Sequence, residues 1–127
     1  MFFLTFSLIL KLGISRFIAV QARQISIKYY QKYTDGQQPD RLHILNRHIQ
    51  NHFEVPPLFY VGAILLFVTD SVSQASLIFA WSFFALRCIH TMIHLGKNDV
   101  NHRFFCFGAS LLSLAALWVC LILGILK

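Results

Sequence analysis

Apolar residues fall in four long blocks separated by short polar stretches, and this pattern sets the elements the chain can form. The first block covers residues 2–20 and is interrupted only by Lys11 and Arg16. Polar residues then dominate residues 21–40, where Asp35-Gly36 followed by Pro39 signals a loop. Residues 42–53 alternate with helical periodicity and run into an apolar stretch at residues 55–68 that is too short to span alone. The spacing therefore predicts one long second helix over about residues 42–69, starting in the interface near Arg41. Pro56-Pro57 lies inside it and predicts a kink, because proline removes backbone donors and clashes with the preceding turn. After a turn at residues 70–74, a third block is expected at about residues 75–95. Residues 96–103 form a polar connection, and a fourth block follows at about residues 104–126.

Each block approaches the roughly 20 residues that a helix needs to cross a hydrocarbon core about 30 Å thick. Four of them nearly exhaust 127 residues. The expected fold class is all-α, an integral membrane four-helix bundle occupying the whole chain, 1–127, as a single transmembrane domain. Composition agrees: 57% of residues are hydrophobic and 13% charged, against about 25% charged in ordinary soluble domains. The first block has neither a basic start nor a small-residue cleavage site, which argues for a retained span. Cys88, Cys106 and Cys120 show no spacing of a disulfide framework or a zinc site and read as reduced and structural.

The formal charge of +6 changes the picture only in orientation. Its basic residues flank the spans and form no solvated patch with interleaved aromatics, so a nucleic-acid partner is not expected. Arg23, Lys28, Lys32, Arg41 and Arg47 lie between spans one and two, Lys97 and Arg103 between three and four, and none lies in the middle turn. The positive-inside rule then puts both basic connections in the cytoplasm and both termini on the other side, with Lys127 a minor violation.

Ionisable residues at membrane depth cost roughly 2.5 to 3.5 kcal/mol each on insertion scales and normally face a bundle interior or a wet cavity. Arg47, Asn51 and Glu54 share a helix face at offsets 0, 4 and 7; Arg87, His90, Thr91 and His94 share another. With Arg103 at the start of the fourth span, they form candidate partners for a small zwitterionic ligand. Arginine suits carboxylates, Glu54 an amine, and Asn51 and the histidines orient; a peptide such as glutathione has that chemistry. The same residues admit a purely structural reading in which Arg47 and Glu54 pair with Arg87 to hold helices together. The spacings His48/His52 and His90/His94 also raise a metal site, but with only His43 and His102 besides, no metal is expected. Asn46, Trp81, Trp118 and the many phenylalanines read as packing and interfacial anchors. Lys11 and Arg16 read either as snorkelling side chains or, for Arg16, as part of a subunit contact. Gly108, Ala109, Ser110 and Ala115 permit close helix approach.

The run Arg47 through Asn51 and Glu54 to Val55-Pro56-Pro57, then Arg87, His90, Thr91, His94, Gly96-Lys97 and Arg103, resembles the MAPEG family, membrane proteins of eicosanoid and glutathione metabolism. The similarity runs from the end of the first span through the fourth and is nearest to bacterial members. It implies a homotrimer in a bacterial inner membrane, with glutathione as co-substrate between adjacent subunits near the cytoplasmic side. By that resemblance, Arg23, Asn51, Glu54, Arg87, His90 and Arg103 surround glutathione, and Arg103 stabilises its thiolate for attack on a lipophilic substrate entering from the bilayer. His94 and Phe107 stand where those enzymes carry aromatic hydroxyls. The implied activity is a glutathione-dependent transferase or peroxidase; the alternative is a non-catalytic trimeric scaffold or small-ligand binder of the same fold.

Overall fold

A computed structural model describes residues 1–33 and 38–126; the loop expected at Asp35-Gly36 lies outside the described residues. The described residues form six helices and no strand: α1 (Phe2–Gln21), α2 (Tyr29–Lys32), α3 (Asp40–Glu54), α4 (Pro56–Val68), α5 (Gln74–Leu95) and α6 (Val100–Ile125). Four helical segments are long and apolar enough to cross a membrane: α1, α3 with α4, α5 and α6. The all-helical four-span fold class holds.

The chain divides into two compact units, Met1–Asn51 and His52–Lys127. In the first, α1 leaves most of its apolar side chains, Phe3 and Phe17 among them, outside any protein core. A lipid-facing helix has that distribution, because hydrocarbon is as good a solvent for phenylalanine as a protein interior. Ala19, Ile25 and Leu42 are buried together, with Tyr29 and Tyr30 of α2 packed on them. Arg16 has partners within the chain. Its Nη2 donates to Asn46 Oδ1 at 2.8 Å, its guanidinium lies 5.3 Å from the centre of the Tyr30 ring, and Asn46 Nδ2 donates to Gln38 Oε1 at 2.9 Å. Asn46, expected as a packing residue, is thus the acceptor that lets α1 carry a cation within its span.

The expected kink falls at Val55, where the helix is interrupted for one residue while the backbone stays in the right-handed region. α3 ends at Glu54, Val55 is the N-cap of α4, and Pro56 and Pro57 are its first two residues. Proline is tolerated there because the N–H groups it lacks would have no helical partner. In the second unit, Leu66, Leu117 and Leu121 form a core with Phe59, Phe79 and Trp118 against it, and the Phe59 and Phe83 rings stack at 4.8 Å. α5 starts with a capping box, Ser76 N to Ser73 Oγ at 3.1 Å and Ser73 N to Ser76 Oγ at 2.9 Å, a hydroxyl pair satisfying two otherwise unpaired amides. α6 begins at Val100, four residues before the expected 104, because Asp99 Oδ1 accepts from His102 N at 3.0 Å and so starts the helix in the polar connection.

Gly62 is where α4 meets α6. A Cβ there would lie 2.8 Å from Leu117 Cδ2 and 3.2 Å from Trp118 Nε1. Leu117 is fully buried and cannot swing away. Gly62→Ala is therefore expected to lower stability by about 1 to 3 kcal/mol, as overpacking does, and to lower the thermal midpoint in detergent. Gly108→Ala is the control: its Cβ meets nothing within 4 Å, so that variant should melt no lower than the wild type.

Candidate functional site

The buried faces of α5 and α6 follow helical periodicity and decide which polar residues meet. On α5, Ser76, Phe83, Arg87, His90, Thr91 and His94 are buried. Arg87 follows Phe83 by four residues, so the stripe that begins aromatic ends cationic. On α6 the inward row Ser110, Leu114, Leu117 and Leu121 extends backward at the same spacing to Phe107 and Arg103. The first turn of α6 thereby delivers Arg103 to the end of α5.

At this end, Arg103 Nη1 donates to Asn98 Oδ1 at 2.8 Å and approaches His94 Nε2 at 3.4 Å. For the guanidinium to donate, His94 Nε2 must carry a lone pair, which puts the ring proton on Nδ1. The His90 and His94 rings meet edge to face with centroids 5.6 Å apart, and His90 also lies 5.7 Å from the Phe107 ring. Deeper, Arg87 is 0% exposed, with its guanidinium carbon 5.5 Å from the Phe107 centroid. The Thr91 hydroxyl donates to the Arg87 carbonyl at 2.8 Å and lies 3.5 Å from His52 Nε2. Two guanidinium groups and three imidazoles share this region. Guanidinium groups attract anions, and do so most strongly where water is excluded.

Of the residues singled out from sequence, the structure brings together Arg87, His90, His94 and Arg103. Glu54 and Arg47 are exposed, and Asn51 is half-buried. The inward face of α3 is the row Leu42, Leu45, Ile49 and His52, with His48 also buried, so the ionic row Arg47–Asn51–Glu54 is directed to another side. The expected ion pair between Glu54 and Arg87 does not form within the chain, because Glu54 is exposed and Arg87 wholly enclosed. Arg23 is exposed beyond the end of α1, at φ 53°. Its N–H donates to Val20 O and that of Gln24 to Ala19 O, closing the helix in a left-handed cap. Clefts of about 530 Å³ (lined by Ser15, Gln24 and Arg41 among others) and about 510 Å³ (lined by Asp70, Ser73 and Cys120 among others) contain none of the predicted site residues.

Asn98 was not foreseen as a site residue, whereas Phe107 stood at a position the family resemblance pointed to and His52 was noted only for its spacing from His48. Phe107 carried a usable signal, lying four residues after Arg103 on the row that continues to Leu114, Leu117 and Leu121. Asn98 carried a weaker one: asparagine between a helix-ending Gly96-Lys97 and a capping Asp99 suits a left-handed turn.

The N-cap of α6 has a pH signature. The Asp99 carboxyl is held below the usual carboxylate range, chiefly by the backbone N–H of His102 that it accepts. A carboxyl depressed in the folded state contributes stability that is complete above its unfolded value and lost as pH falls through the folded one. Acidification through and below the ordinary aspartate range is therefore expected to speed amide exchange in the first turn of α6. Asp99→Asn, which caps without charge, should abolish that pH dependence.

These features define an integral membrane protein of four helical spans with a cationic, imidazole-rich cluster at the junction of its last two spans. The chain belongs to the MAPEG family, whose family model matches residues 1–123. It is thereby a membrane protein of the family associated with glutathione and eicosanoid metabolism. No curated protein and no solved structure matched the chain.

Proposed function

We propose that the protein binds glutathione and uses it against a lipophilic electrophile, as a transferase or peroxidase. The observation that carries this reading is the clustering of Arg87, His90, His94 and Arg103, with the half-buried Arg103 at its open end. Glutathione offers two carboxylates, an amine and a thiol of ordinary pKa, so it is mostly protonated at neutral pH. A permanently charged guanidinium beside the sulfur favours the thiolate. The thiolate then attacks an electrophilic carbon, a C–S bond forms, and the bonding pair departs with the leaving group, such as a halide.

The exposed Arg47 and Glu54, with the half-buried Asn51 between them, support a second element of the proposal, a homotrimer in which these residues and Arg23 line the site from a neighbouring copy. An exposed arginine and glutamate on one face of a membrane-embedded helix call for polar partners, which lipid cannot supply. Glu54 there takes the ligand amine, and the arginines its carboxylates. The proposed setting is a bacterial inner membrane, with the basic connections cytoplasmic and the termini opposite.

Calorimetric titration of the detergent-purified protein with glutathione tests the binding step, and conjugation to a chloro-dinitrobenzene tests the chemistry. Saturable binding with thiol conjugation is the expected result. Absence of binding at millimolar glutathione, in protein of native helix content, would overturn the reading in favour of a scaffold. Cross-linking measures the trimer separately. Glu54→Gln is expected to weaken glutathione binding about tenfold with the assembly intact, since one charge-assisted contact is lost.

A further inference from the structure

We infer that Asn98 is a positioning residue for Arg103: it holds one end of the guanidinium so that the opposite Nε–Nη2 edge is offered to an anionic group of the ligand. The identity of that ligand rests on the glutathione reading above; the anchor itself does not.

Asn98 has φ 52°, in the left-handed region. Asparagine tolerates this backbone better than most side chains, and its N–H donates to Ile93 O at 2.8 Å, fixing it to the end of α5. On the other side, Asp99 starts α6, and Arg103 N donates to Asp99 O at 3.1 Å. Both ends of the Asn98–Arg103 contact are therefore held by backbone hydrogen bonds. The 2.8 Å bond from Arg103 Nη1 to Asn98 Oδ1 closes a small ring across the connection, and His94 Nε2 flanks the same Nη1 at 3.4 Å.

That arrangement uses up one end of a planar fork. The Nε and Nη2 donors make no hydrogen bond among the described residues, and Arg103 is half-buried rather than enclosed. Nε and Nη2 form one of the guanidinium edges that can meet a carboxylate or another anion with two parallel bonds. An arginine already anchored at Nη1 gives up less rotamer freedom when it binds, so the anchor raises affinity without touching the ligand.

Glycine separates the side chain from the backbone, because it accepts the left-handed turn and removes only the acceptor. The full-length protein in detergent micelles is labelled for arginine side-chain nitrogen spectra, with the Arg103 signals assigned by their loss in Arg103→Lys. Resolved, slowly exchanging Nη signals are expected in the wild type and in Asn98→Asp, which keeps an acceptor and suits the turn. In Asn98→Gly they should average, and glutathione affinity measured by calorimetry should fall about tenfold with the thermal midpoint unchanged or raised. Averaged Nη signals in the wild type would overturn the anchor. Unchanged affinity in Asn98→Gly, with binding present in the wild type, would overturn its positioning role. If the wild type binds no glutathione, the ligand reading fails, and the nitrogen spectra alone decide whether Asn98 holds Arg103.

Discussion

Arg103→Ala is expected to weaken glutathione binding on the order of a hundredfold and to remove conjugating activity, while the helix content and thermal midpoint stay near the wild type. The binding loss follows from the chemistry of the group. Charge-assisted hydrogen bonds contribute about 1.5 to 3 kcal/mol each, and a factor of ten is about 1.4 kcal/mol. Loss of one strong contact with the thiolate or a carboxylate, together with the charge, reaches that range. Stability is expected to hold because Arg103 is half-buried at the rim and its partners Asn98 and His94 belong to the polar connection and the last turn of α5. Arg103→Lys should recover part of the affinity, since it keeps the charge and loses the fork. The ultraviolet absorbance of the bound thiolate checks the mechanism directly: present in the wild type, absent in the alanine variant under saturating glutathione. Thiolate absorbance surviving in Arg103→Ala would move the stabilising role to another cation.

The second large effect is expected at Arg87 and separates two roles. The side chain is fully enclosed and lies against Phe107. Arg87→Ala leaves a void among α5 and α6 side chains and should cost about 3 kcal/mol, in the range of large-to-small replacements at buried sites. Arg87→Met fills most of the volume without burying a charge. Because it keeps the packing volume, it is expected to cost less stability than Arg87→Ala. Both variants lose a positive charge from the cluster and are expected to bind glutathione more weakly, by about fivefold to tenfold. Thermal unfolding and calorimetry on the same samples read the two effects apart. If Arg87→Met binds glutathione as the wild type does, Arg87 acts only as packing.

Much of the site was legible in the spacing of a few residues. Arg87, His90 and His94 follow one another at helical offsets on an apolar span, and an ionisable residue there must turn inward. The structure buries all three. The same rule pointed to Arg47 and Glu54, which are exposed in the single chain. α3 is amphipathic, with Leu42, Leu45 and Ile49 forming a competing apolar row, and it is that row which is buried. Periodicity identifies the faces of a helix; it does not say which neighbour each face meets. Arg16 illustrates the same limit, since nothing local tied it to an asparagine thirty residues away.

The sequence by itself determined the membrane class, the four spans, the polar connections and the family, because each depends on local composition, run length and residue spacing. Only the tertiary structure decided that Pro56 and Pro57 open a new helix, that Asp99 starts α6 early enough to bring Arg103 one turn into it, and that Asn98 and His94 meet the Arg103 guanidinium. Those outcomes rest on capping bonds and side-chain contacts between elements. Such contacts are short-ranged and directional, so they are settled only when the helices have taken their places.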